Sequence, residues 1–305
     1  MTLVIHPGPL GDVLLAVPAL RALRAAPSPG PLVIAAQPRL GALLAALGVV
    51  DGHRAFDALG LEPLFVDDGA PAPVPAVRAA SRVVCWFGAR DPVFVRRLRE
   101  AAPGAVVASP TGDGTRPVWQ HLLETVGAPP GPWRDPLPPS AALAASGRAA
   151  LAAAGWDGTR PLVLVHAGSG SAGKRWPVDG FARALAGAAA GRRLAVVLVQ
   201  GPADAEAVSA LAARLPAAGV LADAPLGEVA GAAGHADAWL GNDSGASHLA
   251  AVAGAPALVL FQEAHLAWRP WPAAAHALAV DTSRVTPGDV ERVVARLRGV
   301  LEAAA

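Results

Sequence analysis

Short apolar runs alternate with longer alanine- and leucine-rich stretches from one end of the chain to the other. Apolar runs bounded by turn residues read as buried strands, and the stretches between them carry helical spacing. The pattern therefore predicts parallel sheets with crossover helices. In the first half the strands fall at Thr2–His6, Leu32–Ala36, Arg82–Trp86 and Ala105–Ala108. Helices fall at Gly11–Ala25, Arg39–Leu47, Val93–Ala101 and Val118–Val126, the first kinked by Pro18, which has no N–H for the helix ladder.

Residues 127–139, GAPPGPWRDPLPP, hold too much proline and glycine for a helix or a central strand to cross, and they read as a domain linker. The scheme then repeats, with strands at Leu162–His166, Ala195–Gln200, Ala238–Gly241 and Ala257–Phe261. The matching helices are Ala142–Ala154, Val178–Ala189, Ala203–Leu215 and Ser247–Ala253, and an amphipathic helix at Pro287–Leu301 closes the chain. Residues 1–138 and 139–305 are thus expected as two domains. Their openings match: LVIHPGPLGD and LVLVHAGSGSAG each run from an apolar strand through His into a glycine-rich turn. The expected fold class is α/β, with two Rossmann-like domains facing each other across a cleft and ligands at the carboxyl ends of the strands.

Length and composition narrow this picture. A chain of 305 residues suits two domains, each burying its own core. The net charge is +1 with no basic run, which leaves no concentrated positive face for nucleic acid. The single Cys85 has no internal disulfide partner and fits a buried thiol in a reducing compartment. The first residues lack a basic region, and Asp12 interrupts their apolar stretch, against a signal peptide. No apolar run reaches the roughly 18 to 20 residues that span a bilayer. The expectation is a cytoplasmic protein with at most peripheral membrane contact, at the inner face of the cytoplasmic membrane.

The candidate chemistry begins at residues 166–177, HAGSGSAGKRWP, where Gly168, Gly173 and Lys174 fit a G-x-x-x-x-G-K skeleton. A phosphate-binding P-loop would follow its lysine with Ser or Thr and lead directly into a helix. Here Arg175 follows, and Pro177 suits the first turn of a helix and not its interior. The loop's own chemistry remains: Ser169, Gly170 and Ser171 offer hydroxyls and backbone N–H groups, and Lys174, the only lysine in the chain, brings a compact charge suited to phosphate. A second feature is GNDSGASHLAAVAG at 241–254, where Asn242 and Asp243 end a strand and Ser244 and Gly245 open a helix whose N–H groups and dipole attract anions. The same residues suit ordinary helix capping. Asp12, in a turn from strand to helix, has two readings: an acid stabilised by the helix dipole, or a base pointing into the cleft.

These segments resemble glycosyltransferase family 9, the heptosyltransferases of lipopolysaccharide core synthesis. The resemblance rests on LGDVLLAVPALRALR at 10–24, the HAGSGSAGKRWP loop with its helix at 166–186, and ADAWLGNDSGASHLAAVAGAPALVLF at 236–261, in order across nearly the whole chain. It implies a GT-B fold and inverting transfer of a sugar from a nucleotide diphosphate, typically ADP-L-glycero-D-manno-heptose, to a hydroxyl of a glycan or lipid-linked glycan. No metal or other cofactor is expected. By matching positions, Asp12 resembles the general base and Lys174 the residue that steadies the departing diphosphate, with Ser169 beside it. Asp243 resembles the acid that orients the donor, Ser244 and Gly245 the backbone phosphate contacts, and Glu206 a contact to ribose or base.

The sequence also departs from the family pattern. After Phe261, members usually continue Gly-Pro-Thr, whereas this chain has Gln262, Glu263, Ala264 and His265, which leaves the donor sugar open. His248 reads as helix packing, and Arg96, Arg97 and Arg99 as a solvated helix face. Trp176 reads as packing at a helix start, Trp268 and Trp271 as packing or as a stacking surface. His6 fits a ligand contact or a satisfied strand-end histidine. A UDP- or GDP-sugar enzyme and a non-catalytic nucleotide-sugar binder remain as alternatives. A Rossmann oxidoreductase is disfavoured, because PGPLGD lacks the G-x-G-x-x-G spacing and no acid ends the second strand.

Overall fold

In the first unit the apolar N-terminal run becomes the middle of a parallel sheet. Its strands are β1 (Thr2–Ile5), β2 (Leu32–Ala36), β3 (Gly52–Ala55), β4 (Arg82–Cys85) and β5 (Val106–Val107), in the order β3-β2-β1-β4-β5. All four residues of β1 are buried, as a central strand flanked on both sides requires. The helices are α1 (Leu10–Leu15), α2 (Val17–Arg24), α3 (Pro38–Ala46), the single turn α4 (Pro75–Arg78), α5 (Pro92–Ala101) and α6 (Val118–Thr125). The computed structural model describes residues 1–26, 30–67 and 74–304, and its contacts divide the chain into units Met1–Trp133 and Arg134–Ala305.

The second unit repeats the scheme with α7 (Ala141–Ala153), β6 (Leu162–His166), α8 (Val178–Ala189), β7 (Ala195–Gln200), α9 (Ala205–Ala212), β8 (Gly219–Ala222), α10 (Leu226–Ala233), β9 (Ala238–Asn242), α11 (Gly245–Val252), β10 (Ala257–Phe261), β11 (His276–Ala279) and α12 (Pro287–Ala303). Its sheet order is β11-β10-β9-β6-β7-β8. Counted within each unit, both orders are Rossmann orders, with the chain reversing direction across the sheet between β1 and β4 in one and between β6 and β9 in the other. Val163, Val165 and Leu240 of the sheet bury against Phe181 and Leu185 of α8 and Leu297 of α12.

Four differences from the sequence reading have physical causes. The helix expected across Gly11–Ala25 is two helices, broken at Ala16, because Pro18 has no N–H to donate to the Leu14 carbonyl and its ring crowds that carbonyl. β3, β8 and β11 are strands beyond those the sequence pattern predicts: all three are edge strands and largely half-exposed, and β3 carries His53 and Arg54 in place of an apolar run. α10 is glycine-interrupted, but a Cβ on Gly231 would sit 1.9 Å from the Leu143 carbonyl, so the glycine lets α10 approach α7 backbone to backbone. Arg97, expected on a solvated face, is buried, since α5 turns that position inward.

The linker ties to the second unit from Arg134 onward: Arg134 Nε donates to the Trp271 carbonyl at 3.0 Å and the Leu137 N–H to the Val252 carbonyl at 2.7 Å. Among the described residues no helix is long and apolar enough to cross a membrane.

Candidate active site

At the switch point of the second sheet β6 and β9 run side by side, with His166 opposite Gly241. The loops leaving their carboxyl ends, 167–177 and 243–244, are stitched together from below. Asn242 Nδ2 donates to the Ala167 carbonyl at 2.8 Å, and its Oδ1 accepts from the Trp176 N–H at 3.0 Å. Ser169 is buried, and its Oγ donates to the Asp243 carbonyl at 3.1 Å. That hydroxyl is committed to joining the loops. Gly170 and Ser171 lie exposed at the loop's outer turn, and Lys174 ends a short 3-10 turn, Ala172–Lys174, with α8 beginning only at Val178.

The stitching brings Lys174 Nζ within 2.8 Å of Asp243 Oδ2, with 32% of the lysine side chain exposed against 6% for the aspartate. Burial alone would raise the Asp243 carboxyl, but hydrogen bonding and charge from His248 and Lys174 outweigh it and hold the carboxyl below its ordinary value. His248 Nε2 stands 3.8 Å from the other carboxylate oxygen, so this histidine, read from sequence as helix packing, also faces the acid. The lysine thus carries positive charge from a buried, ionised acid out to the surface.

Beside this pair opens α11. Ser244 is its N-cap: its Oγ accepts from the Ser247 N–H at 3.2 Å and pairs with Ser247 Oγ at 3.2 Å, so the Ser244 side chain is occupied by capping. Gly245 and Ala246 place their backbone N–H groups at the open first turn, where the helix dipole is positive.

Glu206 sits exposed in the first turn of α9, and it is Asp204 that packs against the loop. Asp204 Oδ2 accepts from the Gly201 N–H at 3.1 Å and lies 3.7 Å from His166 Nε2, while His166 Nδ1 meets the Val199 carbonyl at 3.1 Å. A Cβ on Gly168 would lie 2.0 Å from Asp204 Oδ1, so only glycine fits there. Burial pushes the His166 imidazole down, against a smaller opposing pull from Asp204. The sequence signals for Asp204 are its place after a strand and Gly201 three residues before it.

In the first unit the turn after β1 and the loop after β4 border a cavity of about 460 Å3 lined by His6, Asp12, Phe65, Trp86, Phe87 and Arg90, among others. Asp12 stands in the first turn of α1 and lines this cavity of the first unit. His6 is fully buried, edge-on to Trp86 at 5.7 Å, and its Nδ1 accepts from the Gly8 N–H at 3.3 Å, which leaves the proton on Nε2. Burial pushes His6 down to about 4, against a smaller pull from the Asp12 backbone. It is a neutral imidazole on the same cavity wall as Asp12. Burial likewise pushes the Cys85 thiol up to about 12, so it is inert.

Trp176 is buried edge-on to Phe181 at 5.4 Å, and Trp271 is buried as well, so both are packing residues. Trp268 is part-buried and edge-on to His265 at 6.0 Å. Among the described residues no group of three or more His, Cys, Asp or Glu side chains is placed to hold a metal ion.

The model of glycosyltransferase family 9 (heptosyltransferase) matches residues 134–290. The solved family 9 glycosyl transferase of Veillonella parvula DSM 2008 is 19% identical with a TM-score of 0.74, covering 99% of this chain and 97% of that one. ADP-heptose lps heptosyltransferase II of E. coli is 18% identical with a TM-score of 0.75, covering 100% and 99%. The E. coli heptosyltransferase WaaC, solved with ADP, is 17% identical with a TM-score of 0.64, covering 97% and 99%. At these identities the likeness shows the fold, which is GT-B. No curated protein matched the sequence.

Proposed function

The chain belongs to glycosyltransferase family 9, and from this premise we propose that it moves heptose from ADP-heptose to a hydroxyl of a lipopolysaccharide-core-like glycan, with inversion and without a metal. The observation that carries the reading is the Lys174–Asp243 pair at 2.8 Å beside the open turn of α11, at the switch point of the second sheet. A lysine cation beside a helix N-terminus suits a diphosphate, whose charge grows as the glycosidic bond breaks.

Asp12 takes the proton from the acceptor hydroxyl as that oxygen attacks the anomeric carbon from the face opposite the diphosphate. The bond from the anomeric carbon to the phosphate oxygen breaks, and its electron pair leaves with the diphosphate. Lys174 and the Gly245 and Ala246 N–H groups stabilise that charge, the work a divalent cation would otherwise do. Asp243 holds Lys174 in place. The acceptor thus belongs to the first unit, where Trp86 and Phe87 give the cavity aromatic walls suited to the apolar face of a sugar ring, and the nucleotide sugar to the second.

The test is calorimetric titration of ADP, UDP and GDP into wild type and Lys174→Ala, without added metal. Selective ADP binding that weakens in the variant supports the reading. Preference for UDP or GDP keeps the diphosphate site and replaces the donor, and no binding of any of the three favours a descendant that has lost catalysis.

A further inference from the structure

The carbonyl of Gly173, the residue before Lys174, receives two side-chain hydrogen bonds from elsewhere in the second unit. Gln262 Nε2 donates to it at 2.6 Å and Thr282 Oγ1 donates to it at 2.7 Å. Gln262 Nε2 also donates to Thr282 Oγ1 at 2.9 Å, which closes a triangle. The carbonyl accepts from both side chains, and the amide bridges to the hydroxyl as well.

The anchors come from adjacent strands. Gln262 follows β10 directly and Thr282 stands just past β11, with the Val280 N–H tied to the Phe261 carbonyl at 2.9 Å. The anchored segment is otherwise exposed: Gly170, Ser171, Ala172 and Gly173 all face solvent between buried Ser169 and buried Trp176. Within it the Lys174 N–H donates to the Ser171 carbonyl at 3.2 Å and the Arg175 N–H to the Ala172 carbonyl at 3.1 Å, bonds that shape the turn but fasten it to nothing outside. A loose turn would scatter the ammonium at the end of a long side chain, and a misplacement of about 1 Å costs a charge-stabilising group much of its effect.

We propose that Gln262 and Thr282 are positioning residues for Lys174. By holding the Gly173 carbonyl from two directions they fix the turn from which the lysine leaves, and so the place where its charge meets a bound diphosphate. The inference rests on the reading of Lys174 as the diphosphate residue. Gln262 thereby has a task of its own: it tethers the phosphate loop, and the sugar need not touch it.

Gln262→Met and Thr282→Val remove the donors while keeping size and charge. ADP affinity and the turnover of ADP-heptose are measured for both, for Lys174→Ala, and for each clamp variant combined with Lys174→Ala. AMP, which lacks the β-phosphate, serves as the control ligand. Each clamp variant is expected to weaken ADP binding by roughly tenfold and to lower kcat more than it raises KM, with AMP binding unchanged and no further loss in the Lys174→Ala background. A residue that only supported the fold would weaken AMP as well and would add its loss to that of Lys174→Ala. Wild-type ADP affinity in both clamp variants, or losses that persist in the Lys174→Ala background, overturns the inference while leaving the diphosphate site standing. Failure of wild type to bind any nucleoside diphosphate overturns both.

Discussion

Lys174 Nζ and Asp243 Oδ2 lie 2.8 Å apart although 69 positions separate them in the chain, and the acid is buried while the lysine reaches solvent. An ion pair of this kind is asymmetric. Its buried member depends on the partner for its charge, and its exposed member remains available to a ligand.

Lys174→Met leaves the Asp243 carboxylate buried, with the His248 ring 3.8 Å away as its remaining polar neighbour. Stability at pH 7 is expected to fall by about 1 to 3 kcal/mol, less than for a wholly buried pair because the lysine is partly solvated. The native carboxyl titrates below its ordinary value, so this stabilisation is fully present above about pH 4 and fades as pH falls toward the depressed value. Urea unfolding of both proteins at pH 7 and pH 3 reads it, and an equal gap at the two pH values sinks the argument.

Asp12→Asn keeps the shape of the cavity wall and removes the carboxylate proposed as the base. Turnover of ADP-heptose is expected to drop on the order of 100-fold or more, with ADP affinity within about twofold of wild type. Activity equal to wild type would take Asp12 out of the mechanism.

Gly168→Ala forces a methyl group to within 2.0 Å of Asp204 Oδ1. The loop carrying Lys174 must shift, at a cost of about 1 to 3 kcal/mol in stability and with weaker ADP binding. Adding Asp204→Ala should recover part of both losses, since it removes the atoms that collide. Purely additive effects in thermal unfolding and ADP titration would show that the contact is not the cause.

His6, held at about 4 against an ordinary 6.5, gives the protein an acid sensitivity. The unfolded chain takes up this proton near pH 6.5 and the folded chain near 4, so the stability is whole above 6.5 and declines between those values. At about 1.4 kcal/mol per pH unit the loss from this group is about 3 kcal/mol by pH 4. His6→Gln should shed that share of the pH dependence, and a wild-type-minus-variant difference that stays constant from pH 7 to pH 4 would refute the assignment.

The sequence by itself determined the α/β class, the central strands and the two glycine-rich turns, because central strands of parallel sheets are buried on both faces and write themselves as apolar runs such as LVIAA and LVLVH. It also placed Asp243 at a strand end and Lys174 in the glycine-rich loop that follows another, where loop chemistry is local. It did not show that they pair, that Asp204 and not Glu206 packs against the loop carrying Lys174, or that Gln262 and Thr282 grip Gly173. Those relationships were decided by strand order, which sets β6 beside β9 and β10 beside β11. Sheet neighbours are chosen by burial across the whole unit, and no local pattern records which distant strand end will stand alongside.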